Sequence, residues 1–166
     1  LKSDRNGENR TLARYNLAYA QLMQDKYRAA AASFAEALKS DPLLPGRLYD
    51  DALIRMADAQ YYAGDYRIAL KNYTTAIEHG AQDADYATFR RAVMMGLAGD
   101  VSGKIAELSA MPSRFPGSKW LPNALLEKGQ TYAGIGDTGN AVESFEKLRS
   151  THKQSAQARK GMLNLA

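Results

Sequence analysis

The chain contains the sequence GDYRIALKNYTTAIEHG at residues 64–80, and a similar stretch, DKYRAAAASFAEALKSDP, lies at residues 25–42. Each stretch has a tyrosine near its start, an alanine three residues later and an aromatic ring four residues after that. These positions are Tyr66, Ala69 and Tyr73 in one stretch and Tyr27, Ala30 and Phe34 in the other. Tyr66 lies 39 residues after Tyr27. Similarity at this distance indicates an internal repeat, which decides the fold before any other motif.

The Gly-Asp dipeptide of residues 64–65 occurs again at residues 99–100 and 136–137, at spacings of 35 and 37 residues. On both sides of these turns, apolar residues are spaced three or four apart, which is the period of a helix. No strand-like alternation competes with this pattern. We predict that the three aspartates of these turns cap the helices that follow, because a carboxylate there can accept hydrogen bonds from free backbone N–H groups.

The sequence therefore predicts an all-α protein in which short turns separate paired helices. Pro42 and Pro116 are expected to close the second helices of their pairs, because proline cannot supply the next helical hydrogen bond. We expect one repeat domain over residues 1–166. Its predicted elements are helix pairs at about 10–40, 47–79, 83–115 and 119–152, followed by a C-terminal helix at about 155–165.

Composition excludes several classes of protein. Of the 166 residues, 45% are hydrophobic and 24% are charged, which is typical of a folded domain. The absence of cysteine excludes disulfides, thiolate zinc sites and a cysteine nucleophile. The net charge of +4 is not gathered into a basic block, so we do not expect nucleic-acid binding. No apolar run is long enough to span a membrane. Because the chain begins at Leu1, we expect a processed protein or an excised fragment.

Three motifs could suggest chemistry, and each has a simpler explanation. Residues 134–139 match G-x-G-x-x-G, but a helical pattern precedes them where a dinucleotide site needs a strand. His79 and His152 lie near helix ends without a surrounding set of metal ligands. Asp58 and the two aspartates at residues 50–51 lie on one predicted helix. Acid–base catalysis by such carboxylates would need an apolar pocket that makes their pKa values differ, and the sequence shows no sign of one. We therefore predict no catalytic residue, no cofactor and no metal.

The repeated residues resemble the tetratricopeptide repeat family, whose second helices carry G-x-Y-x-x-A-x-x-x-F-x-x-A. The resemblance covers about residues 10–152 and implies a right-handed α-solenoid. It also implies that small residues (Ala18, Ala57, Gly129) let paired helices approach while larger rings (Phe34, Tyr66, Phe145) fill the space beyond them. The third repeat departs from the pattern, because Lys104 stands where the family has alanine. We expect this repeat to be the least tightly packed.

A finer resemblance concerns the joint at residues 115–129, which has a Phe-Pro pair, a serine, an Ala-Leu pair and a glycine. It is similar to joints in repeat proteins of the bacterial cell envelope, which include outer-membrane assembly lipoproteins. This resemblance implies a periplasmic or envelope-associated location. A cytoplasmic location is the alternative.

In this family the first helix of each repeat lines a concave surface. Carried over residue by residue, the resemblance predicts a partner-binding groove. Its residues are Tyr15, Tyr19, Arg55, Asp58, Tyr61, Tyr62, Tyr86, Phe89, Arg90 and Glu127. Chaperone-tail-binding members hold a carboxylate with a clamp of Lys, Asn and Arg. The matching positions here include Tyr15, Tyr19, Asp51 and Arg55, so that role is disfavoured.

We therefore expect a non-catalytic scaffold that binds a peptide or protein segment in an aromatic groove, with Arg55 or Arg90 helping to orient it. Two alternatives stay open. The chain could be the helical platform of a larger enzyme, such as a cell-wall hydrolase, or its basic ends could bind nucleic acid. A neighbouring catalytic domain would favour the first, and a steep salt dependence of binding would favour the second.

Overall fold

The fold is built from α-helices joined by short turns. The computed structural model describes residues 2–39, 44 and 46–164, and within them it contains nine helices and no strand. In chain order they are α1 (Lys2–Leu22), α2 (Tyr27–Leu38), α3 (Gly46–Tyr62), α4 (Tyr66–Glu78), α5 (Ala84–Leu97), α6 (Val101–Arg114), α7 (Leu121–Gly134), α8 (Thr138–Thr151) and α9 (Ala156–Leu163). The all-α class predicted from the sequence is confirmed.

The largest difference from the predicted elements lies in α1, which begins at Lys2 and not near residue 10. Residues 2–10 contain no apolar side chain, so the periodic signal is missing there. A helix that is already nucleated can still extend through them, because each added residue gains one hydrogen bond. Pro42 and the last residues of the predicted C-terminal helix, including Leu165, lie outside the described residues.

The chain divides into two compact units, residues 1–87 and 88–166. Unit 1 contains α1 to α4 and the start of α5, and unit 2 contains the rest of α5 and the helices that follow. In unit 1, α1 packs on α2, α2 on α3 and α3 on α4. In unit 2, α6 packs on α7, α7 on α8, and α9 on both α7 and α8.

The turns within the helix pairs share one backbone conformation. The glycines of three turns have positive φ angles of 86° (Gly64), 87° (Gly99) and 80° (Gly136). Asp25 occupies the corresponding position of the first turn with φ 57°, a left-handed conformation that is uncommon for residues other than glycine. The Tyr27 hydroxyl donates to its carboxylate at 2.6 Å, and this hydrogen bond holds the Asp25 side chain.

The capping predictions are confirmed at two turns and wrong at one. The Asp100 carboxylate accepts from the Gly103 backbone N–H at 2.8 Å, and the Asp137 carboxylate accepts from the Asn140 N–H at 3.1 Å. Asp65 precedes α4, but its side chain makes no capping hydrogen bond. The prediction for Pro116 is confirmed, because α6 ends at Arg114, two residues before it.

The core of unit 1 is centred on aromatic rings that fill gaps between small residues. Phe34 is fully buried and lies edge-on to Tyr15 and Tyr19, with ring centroids 5.9 and 5.7 Å away. Tyr73 holds the matching buried position in the second repeat. Tyr66, which we predicted to fill that gap, is instead 49% exposed, because it begins α4 and only later turns of the helix reach the core.

The core of unit 2 depends on one glycine. A Cβ atom built on Gly129 of α7 would lie 2.5 Å from Cε1 of Phe145, so the ring occupies the space that any side chain would need. Around this contact lie Leu125, Leu126, Ala141, Leu148 and Ala158. Gly129 therefore lets α7 and α8 approach closely, as predicted.

Lys104 fits into unit 2 through two partners. Its stem crosses Gly96, where an added Cβ atom would lie 2.6 Å from Lys104 Cδ. Its ammonium group donates to Glu127 of α7 at 2.5 Å, and its side chain is only 13% exposed. A glycine therefore makes room for the long side chain, and a carboxylate compensates its charge.

Candidate functional site

A pocket with a cavity volume of about 490 Å³ opens in unit 1 between α1, α3 and the segment before α5. It is lined by Tyr15, Arg47, Leu48, Asp50, Asp51, Ile54, Gln82 and Asp83. Tyr15 lies on α1, the first helix of the first repeat. Five of the other residues lie in the first half of α3, and the last two, Gln82 and Asp83, precede α5. First helices therefore supply most of this surface, which is the candidate site.

A hydrogen-bonded network fixes the wall of the pocket. The Tyr15 hydroxyl donates to Asp51 Oδ2 at 2.8 Å, and Arg55 Nε donates to Asp51 Oδ1 at 3.3 Å. The other end of the Arg55 guanidinium donates to Asp58 through Nη1. Arg55 is thus shared between two carboxylates, and Asp51 is held by partners on two helices. These hydrogen bonds fix the position of Asp51.

Asp58 is the buried end of this network, with only 3% of its surface exposed. Its carboxylate also accepts from the Tyr73 hydroxyl at 2.5 Å and from the Tyr86 hydroxyl at 2.8 Å. The Arg55 guanidinium lies 5.2 Å from the centre of the Tyr86 ring. A buried charge is tolerated only when it is paired and hydrogen-bonded, and Asp58 meets both conditions. Asp58 therefore supports the site from within.

The network shifts the ionisation of its members. Burial raises the pKa of the Tyr15 hydroxyl, and the hydrogen bond to Asp51 and its negative charge raise it further. Burial and the Asp51 charge likewise raise the pKa of Tyr19. Burial lowers the pKa of Arg55, but the charges of Asp58 and Asp51 outweigh this effect and raise it. The arginine therefore stays charged and both tyrosines stay neutral at ordinary pH.

The predicted residues Tyr61 and Tyr62 lie at the other end of α3, about 15 Å along the helix from Asp51 at ~1.5 Å per residue. They form an aromatic cluster with two tyrosines of the neighbouring turns. Tyr62 stacks on Tyr27 with centroids 5.1 Å apart, and Tyr61 lies 5.7 Å from Tyr66. Tyr62 is 54% exposed. This cluster is a surface distinct from the pocket.

The remaining predicted residues lie in unit 2. Phe89 is buried and stacks on Trp120 at 5.6 Å, within a core cluster that includes Leu108 and Met111. Glu127 accepts from Lys104, as described above. Arg90 is half-buried. The structure thus places Tyr15, Arg55 and Asp58 in one network with Tyr86, and Tyr19 beside Tyr15 at 5.3 Å.

Sequence reasoning did not select the acidic residues of the pocket, Asp50, Asp51 and Asp83, as site residues. One signal was available at Asp51, because the resemblance described above already matches it to a position of the carboxylate clamp. Asp83 gives no such signal, because it precedes α5 and reaches the pocket only through tertiary packing.

The described part of the chain lacks two other kinds of site. Within residues 2–39, 44 and 46–164, no three His, Cys, Asp or Glu side chains are grouped so that they could hold a metal ion. In the same part of the chain, no helix combines the length and apolar character needed to cross a bilayer.

Several solved structures resemble the chain. A tetratricopeptide repeat protein from Parabacteroides merdae matches 95% of this chain with 20% identity and a TM-score of 0.75, and the chain spans 58% of that protein. YrrB, described as a TPR protein with an unusual peptide-binding site, matches 92% with 18% identity and a TM-score of 0.72, over 74% of its own length. PilW, described as a type IV pilus biogenesis factor, matches 92% with 16% identity and a TM-score of 0.76, over 67% of its length. These similarities show a shared fold.

Family comparison agrees with the structures. No protein with a curated description matches the chain. One tetratricopeptide repeat model matches residues 4–45 and 54–118, and a second matches residues 122–148. Together they cover most of the helices, and the fold is the all-α helical-repeat solenoid. The chain belongs to the tetratricopeptide repeat family.

Proposed function

We propose that this chain is a non-catalytic scaffold that binds a segment of a partner protein at the pocket of unit 1. Membership of the tetratricopeptide repeat family supports an interaction role. The observation that carries the proposal is the pocket itself, in which Tyr15 and Asp51 are fixed by the hydrogen-bonded network behind them. Groups that are held in place beforehand lose less entropy when a ligand binds, and so they contribute more to affinity.

The network changes the role that we first gave to Arg55. We expected its guanidinium to orient the partner, but both of its ends are bonded to carboxylates within unit 1. Because two carboxylates already offset its positive charge, this arginine would attract a ligand carboxylate only weakly. Its role in the proposal is therefore to position Asp51, and direct contacts come from the pocket wall.

We further propose that the protein works in a bacterial cell envelope. The joint at residues 115–129 supports this location by its similarity to envelope repeat proteins. The structural similarity to PilW, described as a type IV pilus biogenesis factor, is compatible with it. Fractionation of cells that express the gene from its own locus tests the location. Recovery in the periplasmic or membrane-associated fraction is expected, and recovery with cytoplasmic markers alone would contradict it.

Peptide selection tests the binding function. The immobilised chain is used to select binders from a phage-displayed library of random dodecapeptides, and selected peptides are measured by fluorescence anisotropy. We expect Gln82→Trp to weaken their binding by about tenfold or more, because the indole would fill the mouth of the pocket. Gln82 is exposed and precedes α5, so the fold should tolerate the change.

The matched control is Lys71→Trp, which adds the same indole to an exposed position on α4. It should leave affinity within about twofold of the wild type. Selection of no peptide, or equal losses in the two variants with unchanged melting curves, would contradict a binding site at the pocket.

A further inference from the structure

The pocket of unit 1 differs in charge from the chain that contains it. The whole chain carries a net charge of +4, yet the pocket is lined by three aspartates and a single arginine. The nearby Arg55 pairs with Asp51 and with Asp58, and these three residues together still carry one net negative charge. A local acidic site in a basic protein is not explained by overall composition.

Two of the three carboxylates have few partners of their own. Asp50 lies near His79, whose Nδ1 is 3.5 Å from its carboxylate on a half-exposed ring. The Asp83 carboxylate makes no hydrogen bond or ion pair with the described residues, although it is partly buried in the pocket wall. A partly buried carboxylate without a partner is available to form a charge-assisted hydrogen bond with a cation that enters the pocket.

The rest of the wall suits a cation carried on a long aliphatic stem. Leu48 provides apolar surface and the Tyr15 ring provides an aromatic one, while Ile54, which is 1% exposed, packs behind them. Lysine and arginine bury their methylene stems against such surfaces while the charged end reaches polar groups. A ring in this position can also attract the cation directly.

We propose that the partner segment is basic and that one of its lysine or arginine side chains enters this pocket, with its charged end at Asp50 and Asp83 and its stem against Leu48 and Tyr15. This inference rests on the proposed function and names the chemistry of the partner. It reverses the polarity of the carboxylate clamp, in which the protein supplies the cations.

The experiment uses the peptides selected on the wild-type chain. We expect every strong binder to contain lysine or arginine, and replacing that residue with methionine should weaken binding by about tenfold, because methionine keeps the stem and removes the charge. The double variant Asp50→Asn/Asp83→Asn should bind the original peptide as weakly as the wild type binds the methionine peptide. Because the Asp83 side chain makes no hydrogen bond to α5, its replacement by asparagine, which is nearly the same size, should leave the start of that helix unchanged.

The control variant is Asp65→Asn, which removes a carboxylate from an exposed position whose side chain makes no capping bond. It should leave both affinities unchanged. Affinity of the wild type should also fall as salt concentration rises, since exposed charges are screened.

The possible failures can be told apart. Selected peptides that lack a basic residue, yet bind less well to Gln82→Trp, would overturn this inference and leave the proposed function intact. It would also be overturned if the double variant weakened binding of the original peptide and of the methionine peptide by the same factor. If no peptide is selected at all, the proposed function fails and this inference fails with it.

Discussion

At the scale of single residues, the contacts that a side chain makes decide its role more than its residue type does. Asp58 looks like a groove residue in the sequence, but three donors surround it and only 3% of its surface is exposed. Phe89 likewise fills a core. Tyr15 is different, because it lines the pocket while its hydroxyl belongs to the network.

Tyr15 should be among the last tyrosines to ionise as pH rises. An ionised hydroxyl would be partly buried and would face the Asp51 carboxylate, so its pKa is raised in the folded state. The unfolded chain loses this proton near pH ~10, whereas the folded chain keeps it. The stability that the group contributes is therefore complete below that pH and is lost as pH rises through the folded-state pKa.

Absorbance titration of tyrosinate, paired with urea melts at each pH, checks this expectation. Tyr15→Phe should remove part of the late ionisation and make the loss of stability above pH ~10 less steep. Asp51→Asn should move the late ionisation to lower pH, because it removes the negative charge. If the tyrosine ionisation at high pH were identical in the wild type and both variants, the network would not be what keeps the Tyr15 hydroxyl protonated.

At the scale of secondary-structure elements, the third helix pair shows how a repeat tolerates an unusual residue. Alignment of the turns places Lys104 where the other repeats have Ala30, Ala69 and Ala141. The replacement is accommodated because Gly96 leaves space for the stem and Glu127 binds the ammonium group. These three residues should therefore behave as a coupled set.

A double-mutant cycle at Gly96 and Lys104 tests that coupling. Gly96→Ala in the wild-type protein would place a methyl group against the lysine stem, which offsets the gain of about 1 kcal/mol expected from replacing a helical glycine. In a Lys104→Ala protein the same change should show that gain. Free energies of unfolding from urea melts should give a coupling of at least about 0.5 kcal/mol. Additive effects would mean that the two side chains do not compete for space.

Elements of this chain are easier to predict from sequence than its site, for a physical reason. The helices follow from local apolar spacing, and the caps of Asp100 and Asp137 follow from a local turn. The burial of Tyr73 in place of Tyr66 depends on which turn of α4 faces the core. The pocket depends on residues 15, 47–54 and 82–83, which only tertiary packing brings together.

At the scale of the whole molecule, the two compact units suggest that damage to one repeat stays local. Each repeat contacts mainly its sequence neighbours in proteins of this architecture, so stability is close to a sum of repeat and interface contributions. The Gly129 contact with Phe145 offers a defined place to introduce such damage, because it lies entirely within unit 2.

Gly129→Ala should lower hydrogen-exchange protection in α7 and α8 much more than in α3 and α4. The added methyl group would lie 2.5 Å from Phe145 Cε1, and overpacking of this kind costs about 1–3 kcal/mol. Native-state exchange followed by mass spectrometry measures both regions in one experiment. The control is Gly134→Ala, also on α7, where the added methyl group would meet no atom within 4 Å. Equal loss of protection along the chain would indicate one cooperative unit.

The ion pair between Lys104 and Glu127 also constrains the order of the repeats. In an array of identical repeats, any repeat could follow any other. Here the lysine belongs to the third repeat and its carboxylate to the fourth, and the position of Glu127 holds Arg55 and Arg90 in the second and third repeats. A rearranged array that placed either of those repeats after Lys104 would oppose two cations at a mostly buried site. The first repeat carries the neutral Asn16 at this position, which would leave the ammonium group without a carboxylate. The third repeat therefore favours the fourth as its successor, because of the four repeats only the fourth supplies a carboxylate there.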